Sequence, residues 1–417
     1  MENNFAVKAH TSFIGQTGYN AHARDFFTAL SNLVELRIRN FTVGKTWSGL
    51  GQMKPNGKYN DPHKNESYIT DYQRKLIGVQ TLYCNEGQIG RYGAGLFDSE
   101  VNNGLECLSK YKQENIFDIV LSETNHHYYH CLDKYKGFKI AYNVWESTKY
   151  EDSFFEILKK FDQFWCPSEW QKQCIINQGY PAEKVFVVPE AVDGKVFNPD
   201  DFNYKLDMYK DNRFKFVLFG RWEYRKATKE IIETFLKTFG TNEPVDLILA
   251  VDNSDYANDG MKTTEDRLKF YNFNDDRLKV LHFVNRKDYV NYLKNGHVFL
   301  SCSRSEGWNL PLIEAMSCGT LSIYSNCSGQ LEFAKGKGHP VSILGEKPIP
   351  NGVGNYYEPD FNDLKKVMRD VYINYWKYKN QAIKDSEIIR NDFSWENAAN
   401  KAYEILETVY NDRKKIT

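Results

Sequence analysis

SRSEGWNLPLIEAMSCG, residues 303–319, decides how the chain folds. It lies between two short apolar runs, HVFLS at 297–301 and LSIY at 321–324. Apolar runs of that length between turn residues make buried strands. Leu312, Ala315 and Met316 recur at helical spacing, and Pro311 fits a first helical turn, where no N–H is missed. Gly319 fits the C-terminal cap. The spacing predicts strand, turn, helix, strand, which is one crossover unit of a parallel sheet.

The chemistry of the stretch sits in its turn. Glu306 falls at the carboxyl end of the first strand, where open α/β sheets bind ligands. Gly307 and the amides of Trp308, Asn309 and Leu310 follow, at a helix N-terminus suited to a phosphate or a sugar hydroxyl. Glu314 comes about one turn into the helix and can face the same opening. Two carboxylates around an anion site imply a ligand with hydroxyls as well as phosphate.

The order of residues resembles the E-x7-E motif of retaining glycosyltransferases of family 4, written S-x-x-E-G-[FW]-x-L-x-x-x-E-A-M-x-x-G. Working outward, five further segments resemble that family in its own order. Thr11 to Tyr19 is similar to its glycine-containing entry loop, with Gly15 and Gly18 at spaced positions. FDQFWCPS at 161–168 is similar to D-x-[IV]-[WI]-x-P-S, and AVDGKVFNP at 191–199 to an interdomain linker. GRWEYRK at 220–226 matches G-R-x-x-x-x-K, and SWENA at 394–398 opens the last helix.

The resemblance implies an α/β chain of the GT-B type. Two Rossmann-like doubly wound domains, residues 1–198 on the acceptor side and 199–394 on the donor side, would face each other across a cleft. Residues 395–417 would be a helix crossing back to the first domain. The implied reaction transfers a hexose-type sugar from a UDP-, GDP- or ADP-sugar to an acceptor hydroxyl, with retention. Arg221 and Lys226 would stabilise the departing diphosphate, since Arg offers a fork and Lys a point charge to phosphate oxygens. Glu306 would grip sugar hydroxyls and Glu314 the ribose, with the amides of 307–310 completing the cradle. Gly15 and Gly18 would approach the diphosphate.

One position departs from the family pattern. A histidine usually follows the strand at 138–144, whereas this chain has Trp145-Glu146, as a subset of the family does. Glu146 either hydrogen-bonds the donor sugar, acts as base toward the acceptor, or orients a loop. No D-x-D motif stands near the site, so no metal or other cofactor is expected. His126, His127 and His130 cluster, and either contact solvent or acceptor or contribute to a metal site that lacks further ligands.

Composition bounds the remainder. At 417 residues two domains are the natural division. A formal net charge of -1 disfavours nucleic acid as a partner. Eight scattered cysteines, with no C-x-x-C pair and no signal-like N-terminus, fit reduced thiols and a cytoplasmic location, with peripheral membrane attachment left open. No run reaches the length of a membrane span. The acceptor, whether glycan, lipid, protein or small molecule, is not legible. The polar stretch 47–72 is either an acceptor loop or a solvated insertion, and a glycine-rich loop is expected at 87–95. A non-transferring GT-B enzyme (an epimerase or a phosphorylase) and an idle nucleotide-sugar-binding subunit stay open as alternatives.

Overall fold

The computed structural model describes residues 4–13, 17–43, 81–84, 108, 110–122, 132, 137–200, 211–253, 260–261, 263–282, 284 and 286–416. Gly15, the histidines at 126, 127 and 130, and the segments 47–72 and 87–95 lie outside them. The chain divides into two compact units. The first comprises Met1–Trp145, Tyr150–Ala191 and Trp395–Thr417; the second comprises Glu146–Lys149 and Val192–Ser394.

The first unit is a parallel sheet built from β1 (Ala6–Thr11), β2 (Glu35–Val43), β3 (Thr81–Cys84), β4 (Ile116–Leu121), β5 (Phe138–Tyr142), β6 (Gln163–Cys166) and β7 (Val185–Val187). The strand order is β3-β2-β1-β4-β5-β6-β7, so the direction of winding reverses between β1 and β4. Both β1 and β4 are buried along their whole length, as expected of central parallel strands covered on both faces. Helix α1 (Gly18–Leu30) starts at Thr17, which forms a capping box with Asn20. Two shorter helices follow, α2 (Asp152–Leu158) and α3 (Glu169–Asn177), the latter capped by Ser168 Oγ accepting from the Gln171 amide at 3.3 Å.

The second unit carries β8 (Phe214–Phe219), α4 (Thr228–Thr238), β9 (Val245–Ala250), α5 (Thr264–Phe270), β10 (Leu278–Val280), α6 (Arg286–Asn295), β11 (Val298–Ser301), α7 (Leu310–Ser317), β12 (Leu321–Ser325), α8 (Leu331–Ala334) and β13 (His339–Val341). Its sheet has the order β10-β9-β8-β11-β12-β13, again parallel, with β8 and β11 at the reversal. Strand β8 shows why. Phe216 and Leu218 enter one apolar layer and Val217 and Phe219 the other, so the strand is apolar on both faces. The sequence at 297–324 folds as its spacing predicts: β11, a turn, α7 and β12, with Leu312 and Ala315 fully buried and Met316 nearly so.

Beyond β13 an antiparallel hairpin joins β14 (Ile343–Pro348) to β15 (Asn355–Pro359). Its sequence is largely polar and contains proline, which gives no strand signal on its own. Asp360 caps the helix that follows, α9 (Phe361–Ile373). Helix α10 (Tyr375–Asp392) closes the second unit, and α11 (Trp395–Ile416) belongs to the first. There Trp395 stacks on His22 of α1 (ring centroids 5.5 Å apart), and Tyr403 stacks on Phe5 (5.6 Å). The last helix therefore returns to the first unit, as the family pattern implied. No helix among the described residues is long and apolar enough to cross a membrane.

Each unit holds a histidine that resists protonation. His10 of β1 is fully buried, with Nε2 2.8 Å from Asp118 Oδ1 of β4. Burial pushes its pKa down to about 4, against the opposing pull of Asp118. His297 accepts the Lys215 amide at Nδ1 (3.0 Å), and burial, helped by Lys215, lowers it to about 4 as well. A histidine depressed on folding stabilises the native state above its unfolded pKa and loses that contribution as pH falls through the folded value. The melting temperature should therefore drop between pH 6.5 and about 4, with His10 alone worth on the order of 3 kcal/mol. Melting curves across that window check this, and His10→Asn with His297→Asn should flatten the profile.

Candidate active site

Two loops of the second unit meet at the carboxyl ends of β8 and β11. The first begins at Gly220, whose φ of +146° lets the chain leave β8 in a direction that side-chain-bearing residues rarely adopt. It carries Arg225 and Lys226 into α4. The second carries Glu306 into α7. Glu306 Oε1 lies 2.5 Å from Lys226 Nζ, and Oε2 lies 2.9 Å from Arg225 Nη1. Arg225 Nη1 also donates to the Ser305 carbonyl at 2.9 Å. The backbones join as well, with the Arg304 amide donating to the Arg225 carbonyl at 2.7 Å.

Charge neutralisation decides the state of Glu306. Its side chain is only 3% exposed, and burial alone would push its pKa up. Lys226 and Arg225 outweigh that, with a hydrogen bond from Ser303, and hold it down at about 2. Arg225 is likewise penalised by burial, but Glu146, Glu306 and Glu223 around it hold it well above its ordinary value. Glu306 is therefore an anion, and Arg225 a cation, throughout the working range.

Arg304 braces this arrangement from beneath. Its guanidinium pairs with both oxygens of Glu358 at 3.1 Å and with Glu230 of α4 at 2.8 Å. It also donates to the Tyr224 carbonyl and lies 3.9 Å from the centre of the Tyr224 ring. Ser328 Oγ, in the turn after β12, accepts the Glu306 amide at 3.0 Å. The residues flanking Glu306 are thus fixed on both sides.

Asn309 takes the left-handed conformation (φ 92°) at the entry to α7. Its side-chain amide donates to Ser301 Oγ and Gln330 Oε1, both at 2.8 Å, which holds the turn open. The Trp308 indole is 1% exposed and packs against Phe333 and Phe393, so only the backbone of Trp308 faces the turn. The first amides of α7, including that of Leu310, have no intrahelical acceptor by geometry. Glu314 accepts a hydrogen bond from Tyr289 Oη at 2.5 Å.

A cavity of about 460 Å³ opens at the carboxyl ends of β8 and β9, lined by Phe219, Gly220, Ala250, Asp252, Tyr289 and Pro311 among others. Gly220, which lines it, lies close to Lys226: a Cβ on Gly220 would stand 4.0 Å from the Lys226 side chain. Tyr289 links it to Glu314. The space has room for a small ligand, with Tyr289 and Asp252 among the polar groups on its wall.

Among the expected site residues, Lys226, Glu306 and Glu146 come together. Glu146 Oε2 lies 3.0 Å from Arg225 Nε, and residues 146–149 belong to the second unit although the rest of it begins at Val192. Arg221 shares the loop but its side chain is exposed, and its carbonyl accepts Thr228 Oγ1 at 3.0 Å. Gly18 opens α1 in the first unit, and Gly307 lies in the turn beside Glu306. Arg225 was missed, because the G-R-x-x-x-x-K pattern leaves its position open. The signal present was its adjacency to Lys226. One further group, Asp252, Glu265 and His282, stands near the cavity. Its imidazole faces Asp252 through Nδ1 and Glu265 through Nε2, each at 3.1 Å. The hydrogen bond to Asp252 and the charge of Glu265 raise the imidazole's pKa above its ordinary value.

Residues 205–339, which contain both loops, match the family model of glycosyl transferases group 1, so the chain carries a domain of that kind. A phosphatidylinositol N-acetylglucosaminyltransferase component from Arabidopsis thaliana is 27% identical over 212 residues, which is 51% of this chain and 42% of that protein. The chain spans less than half the length of the curated relatives it matches first. Among solved structures, sucrose-phosphate synthase of Thermosynechococcus elongatus superposes with a TM-score of 0.67 at 14% identity, over 98% of this chain and 100% of that one. Anabaena HepE in complex with UDP and glucose gives 0.67 at 12% identity, over 97% and 100%. The fold is GT-B.

Proposed function

We propose that this chain, built on a glycosyl transferases group 1 domain, transfers a hexose-type sugar from a nucleoside diphosphate sugar to an acceptor hydroxyl, with retention and without a metal. The observation that carries the reading is Glu306 ion-paired to Lys226 and Arg225 beside the cavity at the ends of β8 and β9. The nucleoside occupies the cavity, with the ribose toward Glu314 and Tyr289. Its diphosphate lies along Lys226, Arg225 and Arg221 and the first amides of α7, where negative charge grows as the sugar–phosphate bond breaks. Glu306 holds sugar hydroxyls by charge-assisted hydrogen bonds.

In the reaction the acceptor oxygen bonds to the anomeric carbon on the face the phosphate leaves. The acceptor proton passes to the departing phosphate oxygen, so no protein base is required. That fits a site with Glu146 where the pattern of the family it resembles has a histidine. The acceptor and the cellular location belong to the same proposal only in outline: an unspecified hydroxyl compound, met in the cytoplasm.

A thermal-shift panel of UDP-, GDP- and ADP-sugars tests the reading, because a ligand that binds only the native state raises its melting temperature. UDP-sugars come first, given the UDP bound to HepE. A ligand at about 100 times its Kd should stabilise by roughly 2.7 kcal/mol. Donor turnover undiminished by EDTA, with product of unchanged anomeric configuration by NMR, supports the proposal. An epimerised donor or a phosphorolysed sugar, with no acceptor glycosylated, overturns it.

A further inference from the structure

Arg225 has more carboxylates than it needs. Its Nη1 faces Glu306 at 2.9 Å, Nη2 faces Glu223 at 2.8 Å and Nε faces Glu146 at 3.0 Å. Lys226 adds one cation, already held by Glu306. Three carboxylates against two cations leave this cluster one negative charge in excess, and a diphosphate would add more. Such a cluster binds a polyanion poorly until one carboxylate leaves or is neutralised.

Geometry picks out which one. Glu306 is 3% exposed and is braced by Ser303, Ser328 and Lys226. Glu223 is 25% exposed and sits two residues from Arg225 on the same loop. Glu146 is 36% exposed and reaches Arg225 from a separate strap, residues 146–149. That strap is pinned just beyond Glu146. Ser147 Oγ donates to the Val353 carbonyl at 2.8 Å, and the Asn355 amide donates to Thr148 Oγ1 at 2.7 Å. Gly354, at φ +81°, packs so closely that a Cβ there would stand 2.4 Å from Ser147 Oγ. The β14–β15 hairpin thus sets the backbone that aims Glu146.

We propose that Glu146 is an internal counter-anion on Arg225, which the diphosphate of an incoming nucleotide replaces, and that the crowded carboxylate, still beside the phosphates, takes up a proton from solvent. This rests on the nucleotide-sugar reading and deepens it. The groups facing Glu146 are Arg225 and Lys226, which favour its anion, and Glu306 and Glu223, which oppose it; Tyr356 stands beside the same guanidinium. Burial, with Glu306 and Glu223, already holds its carboxyl above the ordinary range despite Arg225. A second anion beside it raises that further.

Titration calorimetry of the full chain with UDP, GDP and ADP, in two buffers of different ionisation enthalpy, decides the matter. Glu146→Gln keeps the shape and removes the charge. It should bind the preferred diphosphate roughly tenfold more tightly than wild type at neutral pH. Wild-type affinity should rise as pH falls, and the difference between the two proteins should close. Proton uptake seen in wild type should be lost in the variant, so that protons taken up by the nucleotide itself cancel in the comparison. Equal or weaker binding by Glu146→Gln, or equal proton uptake in both, overturns the inference and leaves the transferase reading intact. Failure of wild type to bind any of the three nucleotides removes both.

Discussion

Glu306→Gln should lower donor turnover by roughly 10²–10³-fold, the size expected when one pre-aimed electrostatic group is lost from a reacting centre. The amide fills the same space and can still meet Ser303, so the fold should melt close to wild type. What it loses is the charge that pairs with Lys226 at 2.5 Å and with Arg225 at 2.9 Å. Free of Glu306, both cations remain available to phosphate, so affinity for the bare nucleoside diphosphate should be kept or increased while kcat falls. Lys226→Ala should lose kcat to a similar extent and lose nucleotide affinity as well. This split separates a residue that holds the sugar from one that holds the phosphate. Because the Glu306 carboxyl is held at about 2, no acid limb of the rate profile above that value belongs to it. Near-wild-type turnover in both variants would remove the assignment.

The sequence carried most of this because apolar periodicity and turn residues are local. Leu312, Ala315 and Met316 declared α7, and β8 declared itself by apolar residues on both faces. Glu306 was legible from its place at the carboxyl end of a strand, and Lys226 through the resemblance of GRWEYRK to the family's loop; the structure brings the two strand ends together at a winding reversal. What stayed hidden depends on contacts distant in sequence. The β14–β15 pairing joins polar, proline-containing segments whose strand character comes from one another rather than from a core. The placement of residues 146–149 in the second unit depends on Gly354 and its neighbours, some two hundred residues on. Arg225 was hidden by a motif that prescribes the ends of a loop and leaves its middle free. Its importance appears only when Glu146, Glu223 and Glu306 are seen around one guanidinium.

That crowding makes Arg225→Ala the more damaging of the two arginine substitutions in the loop. Arg221 is exposed, so its charge acts through water and its loss should cost turnover only a few-fold. Removing Arg225 leaves three carboxylates to share Lys226. Breaking a buried pair by deleting one partner costs roughly 3–5 kcal/mol, because the remaining charges stay uncompensated. Part of that cost is avoided by protonation: Glu306 would rise from about 2 and Glu146 would rise further. The variant should therefore melt lower than wild type near neutral pH, with the deficit shrinking as pH falls and the carboxylates take up protons. Its turnover should fall by roughly 10²-fold or more, since Glu306 loses both its charge state and its position. Arg225→Lys offers one point charge where a fork met three acids, so it should recover stability better than rate. Steady-state kinetics and melting curves for the three variants at several pH values test this order. Equal damage from Arg221→Ala would make Arg221 the main arginine contact of the diphosphate and reduce Arg225 to a brace.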